Sequence, residues 1–376
     1  MKRERIPVAA PWLDEAEESC VKDAFAKGAI SGFYGEYLPL FESEFSKYCE
    51  SGYGVAVSSG TTALHLALVS LGIKAGDEVL VSTLTNMATF FAVLYIGAIP
   101  IPIDIERDTL NLDPSLLERH ITNKTKAILV VHLFGHPVDM DPVLQVANDH
   151  GLFVVEDCAE AHGATYKGRK VGGLGDAGCF SFYANKIITT GEGGMITFQE
   201  EKYAITARNL KGLAFGDQNK FMHKDIGYNY RMTNLQAAIG HAQFQKIEQI
   251  IEKKRSIAAY YNNRFSMLAG LQLPIEKTYA RNVFWMYHIV LTNHNLSRRG
   301  EIMLRLSEAG IETRETFIPY NLQDIFIQQG TVKAEICPNA NLVAYAGFYL
   351  PSGVELSDSE LDYVSTKFIE IINNPK

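Results

Sequence analysis

The sequence has few cysteines, no long apolar run and no excess of positive charge. Its five cysteines are scattered over 376 residues, and no two of them are spaced as CxxC. This usage predicts a reduced, cytoplasmic protein without disulfides. No stretch approaches about 18 uninterrupted apolar residues, so we expect no membrane span. The formal net charge of -8 argues against binding to nucleic acid or to an anionic membrane.

Two common ligand-binding patterns are also missing. No glycine turn is followed by GK[ST], so the chain has no Walker A loop. His132 and His136 are four residues apart, as in metal-binding helices, but they lie on a predicted strand that ends at Gly135. Because that geometry does not direct both rings to one ion, we expect no metal.

The first half of the chain alternates between strand and helix patterns. Seven short apolar runs predict strands, at about 54–60, 78–83, 99–105, 127–134, 153–158, 178–183 and 194–198. Amphipathic segments predict helices at about 14–27, 38–48, 61–73, 88–98, 115–121 and 140–151. This alternation predicts an α/β fold with a mostly parallel sheet that is flanked by helices on both faces.

The pattern changes after residue 234. A long helical stretch is predicted over 234–265, followed by a strand in MYHIVLT, a helix in RGEIMLRLSEAG, a strand in IETRETF and a closing helix from Ser357 to Ile372. The length suffices for two domains. We therefore predict a large α/β domain over 1–250 and a smaller α+β domain over 251–376.

Lys186 lies in the stretch GCFSFYANKIITTGEGG, between a predicted buried strand and a glycine-rich turn. Lysine is usually hydrated, and a simple turn lysine is one interpretation. The alternative is functional, because a lysine held at low polarity loses basicity and becomes a nucleophile that forms Schiff bases.

A phosphate-binding turn is predicted at VSSGTTA, where a strand ends and a helix begins. The free backbone N–H groups of a helix start bind phosphate, with help from the helix dipole. Gly60 and Thr61 are the candidate residues, and the Ser181 hydroxyl at another strand end is a candidate further donor. A plain helix cap and a serine that faces a neighbouring strand are the alternatives.

Acidic residues follow a third strand, in VVEDCAEAHG. A carboxylate at the buried end, Asp157, needs a positive partner, and the protonated pyridine nitrogen of pyridoxal 5'-phosphate is such a group. Glu160 could reach the ring of the cofactor, and His162 could line the site. A helix cap for Asp157 and an interior histidine for His162 are the alternatives. A phosphate-binding turn at Gly60, an acid at Asp157 and a lysine at Lys186 follow one another in the chain, and this order predicts a pyridoxal phosphate site.

The sequence resembles the sugar aminotransferases of the DegT/StrS type, which have the aspartate aminotransferase fold (fold type I). The similarity extends from about Ile6 to Ile371. It is carried by SSGTTALHLAL, EDCAEAHGATYKGRKVG, GDAGCFSFYANKIITTGEGGM and GYNYRMTNLQAAIG.

The resemblance implies roles for the residues of the cofactor site. Lys186 would bind pyridoxal phosphate as a Schiff base, Asp157 would pair with the pyridine nitrogen, and Glu160 would contact the side of the ring hydroxyl. Gly60, Thr61 and Ser181 would hold the phosphate.

The resemblance further implies a homodimer with shared active sites. Asn229 would reach the phosphate of the cofactor in the neighbouring subunit, and Arg231 would lie near the same site. Arg314 of the small domain would contact substrate or its carboxylate. A structural ion pair is the alternative for both arginines.

The sequence departs from the family pattern at three places, one of which is the stretch GAISGFYGEY, where the tryptophan often found in relatives is missing. Asn86 stands in VSTLTNMATFF where relatives carry an aromatic residue that stacks near the cofactor ring. Asn321 ends FIPYN, where a histidine closes the Phe-x-Pro-x-His segment of relatives. We expect these two asparagines to shape the sugar pocket.

The expected reaction moves an amino group from L-glutamate, which leaves as 2-oxoglutarate, to a nucleotide-linked 4-keto-6-deoxy sugar. A sugar dehydratase on the same fold is the alternative, but such enzymes carry histidine in place of the Schiff-base lysine. A regulatory protein that binds the cofactor or a sugar nucleotide without turnover is a third possibility.

Overall fold

The computed structural model describes residues 5–216 and 219–375. Within these ranges the strands are β1 (Tyr53–Val57), β2 (Glu78–Ser82), β3 (Ile99–Ile103), β4 (Thr125–Val131), β5 (Phe153–Asp157), β6 (Thr165–Tyr166), β7 (Arg169–Lys170), β8 (Ala177–Ser181), β9 (Gly194–Phe198), β10 (Leu271–Gln272), β11 (Ala280–Arg281), β12 (Tyr287–Leu291), β13 (Arg314–Glu315) and β14 (Gly347–Leu350).

The helices of the described residues surround these strands. They are α1 (Glu15–Ala26), α2 (Tyr37–Tyr48), α3 (Gly60–Ser70), α4 (Met87–Tyr95), α5 (Met140–His150), α6 (Glu201–Lys211), α7 (Asn234–Gln245), α8 (Ile247–Phe265), α9 (Arg299–Glu308), α10 (Asp324–Gln328), α11 (Pro338–Ala346) and α12 (Asp358–Asn373). None of them is both long and apolar enough to cross a membrane.

The central sheet contains seven strands in the order β1-β9-β8-β5-β4-β2-β3. Only β9 runs against its neighbours, with Ser181 opposite Gly194 at the end of its pairing with β8. Nearly all residues of β4, β5 and β8 are buried, as expected for parallel strands that are covered on both faces. The predicted α/β fold with a mostly parallel sheet is confirmed.

Three predicted elements differ from the structure. The predicted helix at 115–121 is two short 3₁₀ turns, Pro114–Leu116 and Glu118–His120. The long helical stretch divides at Lys246, whose ammonium group turns back to Asp14 and Glu17, 2.8 Å from a carboxylate oxygen of each. The strand predicted in IETRETF is only two residues long, and α6 was not predicted.

A second sheet has four antiparallel strands in the order β10-β12-β14-β13. It is formed by residues between Leu271 and Leu350, within the predicted small domain. The predicted boundary at residue 250 falls inside α8 and stays a prediction. A third sheet, β11-β6-β7, contains only two-residue strands.

Candidate active site

A cavity of about 440 Å³ lies where the strands of the central sheet end, and residues of the four-stranded sheet complete its lining. Open α/β sheets bind ligands at this edge. Eight of the twelve predicted site residues line it: Gly60, Thr61, Asn86, Asp157, Glu160, Ser181, Lys186 and Arg314. Residues that are far apart in the sequence therefore meet in one cavity.

Lys186 lies in the loop between β8 and β9, and its amide donates to the Tyr183 carbonyl at 2.9 Å. The side chain is only 12% exposed, and its Nζ is 3.8 Å from Oε1 of Glu160. Burial lowers the pKa of Lys186 below its usual range, although the charges of Glu160 and Asp157 oppose the shift. A buried amine of lowered pKa is a better nucleophile than a surface lysine.

Glu160 is the buried acid nearest to this amine. Its Oε2 accepts a hydrogen bond from the Phe134 amide at 2.9 Å. Burial raises the pKa of Glu160 to about 7, and Lys186 limits the shift. Because the pKa values of the acid and the amine move toward each other, a proton passes between this pair at a smaller cost than between exposed groups.

Asp157 ends β5 with both carboxylate oxygens in hydrogen bonds. Oδ2 accepts from the Thr89 hydroxyl at 2.8 Å, and Oδ1 accepts from the Ala159 amide at 3.1 Å. A further hydroxyl, that of Thr85, lies 2.9 Å from Thr89. Burial nevertheless raises the pKa of Asp157, so the carboxylate still gains from a cationic partner in the cavity.

The predicted phosphate-binding turn is the first turn of α3. Ser59 caps the helix by accepting from the Thr62 amide, and the amides of Gly60 and Thr61 precede the first helical hydrogen bonds. A Cβ on Gly60 would lie 2.7 Å from Cβ of Ser181, so only glycine allows this close approach. The helix start and the Ser181 hydroxyl together provide donors for an anion.

The cavity thus fits pyridoxal phosphate on the chemistry of its own residues. Hydrogen-bond donors are grouped at the start of α3, and Asp157 provides a buried carboxylate that accepts hydrogen bonds from a hydroxyl and an amide. The amine of Lys186 lines the same cavity.

The structure does not bring His162 or Asn321 to the cavity. His162 is fully buried among the rings of Phe45, Phe180 and Phe182, and burial lowers its pKa to about 3. The amide of Asn321 accepts from the Thr83 hydroxyl and donates to Asn341 Oδ1, both at 2.8 Å. This asparagine therefore joins the chain segment after α9 to the end of β2.

Asn229 and Arg231 lie near the phosphate-binding turn but do not line the cavity. Their segment runs along the end of β1, where Arg231 forms a bridge with Val57. Asn229 is exposed. The guanidinium of Arg231 is 4.6 Å from the centre of the Phe33 ring, and its buried NH1 has no partner among the described residues. Their assignment to a neighbouring subunit's cofactor stays a prediction.

The remaining predicted residues lie at the edge of the cavity. Asn86 is exposed and caps α4 by accepting from the Ala88 amide at 3.0 Å. Arg314 is half exposed, and its Nε is 3.5 Å from Glu312. Neither side chain is committed to a buried partner, so both remain available to a ligand.

His132 and His136, which follow β4, form hydrogen bonds within the protein. His132 accepts from the Val138 amide through Nδ1 at 3.0 Å, and its Nε2 lies 3.0 Å from Glu156. His136 lies near Asn111 and accepts from the Lys277 amide at 3.2 Å. Their ring nitrogens are thus occupied by hydrogen bonds.

Two residues of the site were not identified from the sequence. The ring of Trp285 lies over Lys186, 3.9 Å from Nζ to the ring centre, and its indole N–H donates to the Asn185 carbonyl at 2.7 Å. Thr89 supports Asp157. Trp285 is one of only two tryptophans in the chain, which was the available signal for it.

Known proteins match this sequence and fold along almost the entire chain. The family model of the DegT/DnrJ/EryC1/StrS aminotransferases matches residues 11–369. GDP-perosamine synthase of Caulobacter vibrioides is 40% identical over 369 residues, which are 98% of each chain.

Two solved structures show the same fold. DesV of S. venezuelae, solved in complex with a ketimine intermediate, has a TM-score of 0.92 at 32% identity and covers 100% of both chains. Spr1654 of Streptococcus pneumoniae, solved in its PMP form, has a TM-score of 0.93 at 28% identity and covers 98% of both chains.

The chain belongs to the DegT/DnrJ/EryC1/StrS aminotransferase family. It is a sugar aminotransferase with pyridoxal phosphate as its cofactor, and GDP-perosamine synthase is among the relatives to which it is most similar. The predicted family, enzyme class and cofactor are confirmed.

Proposed function

We propose that the protein transfers the amino group of L-glutamate to a nucleotide-linked 4-keto-6-deoxy sugar in the synthesis of a surface polysaccharide such as O-antigen. The observation that carries the proposal is the pair of Lys186 and Glu160, buried 3.8 Å apart in a cavity that also contains a phosphate-binding helix start. The similarity to GDP-perosamine synthase supports a substrate of this class.

The residues of the large domain hold the cofactor in this proposal. The amides of Gly60 and Thr61, together with the Ser181 hydroxyl, bind the phosphate. The Asp157 carboxylate would pair with the pyridine nitrogen and keep it protonated, and Glu160 would contact the side of the ring hydroxyl. Bound there, pyridoxal phosphate supplies an electron sink for the bond that breaks at the substrate carbon.

Lys186 is both the attachment point and the proton carrier. The free Nζ of Lys186 would remove the proton from the α-carbon of the amino donor and hold it for the next proton transfer. Its lowered pKa favours the neutral amine that this base step needs. Glu160, with a pKa of about 7, lies near enough to influence the charge on that amine.

The second half of the reaction uses the same groups in the opposite direction. Lys186 would deliver a proton to the sugar carbon that receives the amine. Asn86 at the edge of the cavity is a candidate contact for the sugar, and Arg314 for the carboxylate of the donor.

A homodimer completes the site in this proposal. Asn229 and Arg231 lie next to the strand end that leads to the phosphate-binding turn, and Asn229 is exposed. An exposed amide and a guanidinium at that place are suited to contact the phosphate of a cofactor bound in the second subunit.

A substrate panel tests the proposal. The pyridoxamine phosphate form of the protein is mixed with a series of keto-sugar nucleotides, and the return of the pyridoxal phosphate absorbance is recorded. We expect a 4-keto-6-deoxy sugar nucleotide to restore it, and L-glutamate to reverse it with release of 2-oxoglutarate. Lys186→Ala is the control that should abolish both steps. Full turnover by this variant, or conversion of the sugar to a product without nitrogen, would contradict the proposal.

A further inference from the structure

Tyr349 lies in the middle of a row of three side chains on the four-stranded sheet. In the antiparallel pairing, His288 of β12 is opposite Tyr349 of β14, and Arg314 of β13 is opposite it on the other side. Residues directly opposite each other on antiparallel strands project from the same face. Tyr349 and Arg314 both line the candidate active-site cavity.

The Tyr349 hydroxyl has no hydrogen-bond partner among the described residues although the residue is only 4% exposed. Its ring packs against Phe134 and His288, with ring centres 5.4 Å and 5.5 Å away, so the position of the side chain is fixed. Buried hydroxyls are normally paired, so an unpaired one on a residue that lines a cavity is a candidate ligand contact.

The neighbours of this hydroxyl indicate which kind of atom it meets. Burial raises the pKa of Tyr349 well above its usual range, so the phenol stays protonated and is a donor at physiological pH. Arg314 next to it is a cation whose contact with Glu312 is long and half exposed, and such a contact holds the guanidinium only weakly. A neutral donor beside a positive donor fits an anionic acceptor.

We propose that Tyr349 is a substrate-binding residue whose hydroxyl, together with the guanidinium of Arg314, holds a carboxylate of the amino-acid donor. This inference rests on the proposed function, since it requires an amino acid to enter the cavity. A carboxylate has two oxygens and accepts both donors at once, whereas a single sugar hydroxyl would leave the charge of Arg314 unused.

The acid whose charge acts on Tyr349 is compatible with an incoming carboxylate. Glu160 acts electrostatically on Tyr349, but its own pKa is raised to about 7 by burial, and it lies 3.8 Å from Lys186. Its negative charge is thus partly neutralised near pH 7, and the repulsion on a second carboxylate is reduced accordingly.

Glutarate is the probe, because this dicarboxylate has no amino or keto group to react. Its binding to the cofactor-loaded protein is measured by calorimetry in the wild type, in Tyr349→Phe and in the control Tyr261→Phe. The Tyr261 hydroxyl donates to the Pro351 carbonyl at 2.9 Å, outside the cavity, so the control also loses a buried phenol oxygen. Thermal unfolding checks that each variant is folded.

We expect Tyr349→Phe to weaken glutarate binding by about tenfold or more, the usual effect of losing a hydrogen bond to a charged group. The half-saturating glutamate concentration in the first half-reaction should rise by a similar factor. The response of the pyridoxamine phosphate form to keto-sugar, and all binding by Tyr261→Phe, should stay within about twofold.

Equal glutarate binding by Tyr349→Phe and the wild type would overturn the inference, as would a loss confined to the keto-sugar step, which would make Tyr349 a sugar contact. The glutamate half-reaction of the wild type tests the proposed function independently of Tyr349. If the wild type transfers the amino group of glutamate, the proposed donor stands, and either of these results overturns only the role of Tyr349. If the wild type neither binds glutarate nor reacts with glutamate, the glutamate donor is wrong and the inference fails with it.

Discussion

The indole ring of Trp285 covers the amine of Lys186, with 3.9 Å between Nζ and the ring centre. The contact joins residues that are about a hundred positions apart in the chain. It shields the amine from water, and burial is the main cause of its lowered pKa. The reactivity of the lysine therefore depends on a residue outside the motifs from which the site was predicted.

Trp285→Ala is expected to raise the pKa of Lys186 toward its usual range, because water reaches the amine. The measurement is the pH dependence of Lys186 labelling by an amine-reactive reagent in the cofactor-free protein, followed by mass spectrometry. Trp12→Ala is the matched control, since the ring of Trp12 lies 5.0 Å from Nζ of Lys246, away from the cavity. An unchanged midpoint in Trp285→Ala would show that the ring does not control the amine.

Glu160→Gln is expected to change the pH dependence of stability. The carboxyl binds its proton up to a pKa of about 7 in the folded protein, but only up to the ordinary value of 4.5 when unfolded. The folded state holds more protons in this window, so this group lowers the stability as pH rises from about 5 to 7, by on the order of 1 kcal/mol per pH unit.

Urea unfolding of the cofactor-free protein across this range is the measurement. The variant should lose less stability than the wild type as pH rises. Glu315→Gln, which replaces an exposed glutamate of the same cavity, should follow the wild type. Parallel curves for the wild type and Glu160→Gln would contradict the raised pKa.

Gly60→Ala is expected to weaken cofactor binding by about tenfold or more, because the new Cβ would displace Ser181 from the helix start. Absorbance titration of the cofactor-free protein with pyridoxal phosphate measures the affinity. Gly300→Ala is the control, since a Cβ there meets nothing within 4 Å. Equal affinities for the two variants would exclude a close approach at Gly60.

Thr89→Val removes a hydroxyl hydrogen bond to the buried Asp157 carboxylate while the volume of the side chain is kept. Hydrogen bonds to charged groups contribute about 1.5–3 kcal/mol, and we expect the free energy of unfolding at neutral pH to fall by about this amount. Denaturant unfolding measures it. Thr206→Val, whose hydroxyl donates to the Lys202 carbonyl on an exposed helix, should change it by much less.

The seven-stranded central sheet could be predicted from the sequence because its signals are local. Each strand of the central sheet is an apolar run that ends in a polar or glycine-rich turn, and parallel strands place those ends at one edge. The positions of Gly60, Asp157 and Lys186 follow from this rule, and the structure brings all three into one cavity.

Residues whose surroundings come from distant segments could not be placed in this way. His162 follows Asp157 by five positions, but its ring turns into a cluster of phenylalanines from α2 and β8. Asn321 is held by Asn341 and Thr83, one of them far earlier in the chain. Strand β14, which carries Tyr349, is only four residues long and directly follows α11. It is therefore too short to be predicted from a periodic pattern of apolar residues.

One residue, Phe134, connects the acid of the site with the segment that covers the lysine. Phe134 has left-handed backbone angles, with φ of 53°, and its amide donates to Glu160 while its carbonyl accepts from the Trp285 amide at 3.0 Å. A movement of the Trp285 segment that altered the hydrogen bond between Phe134 and Glu160 would change the proton affinity of Glu160. Protonation of Glu160 would then shift the equilibrium of that segment by the same factor, because linkage between two equilibria is reciprocal.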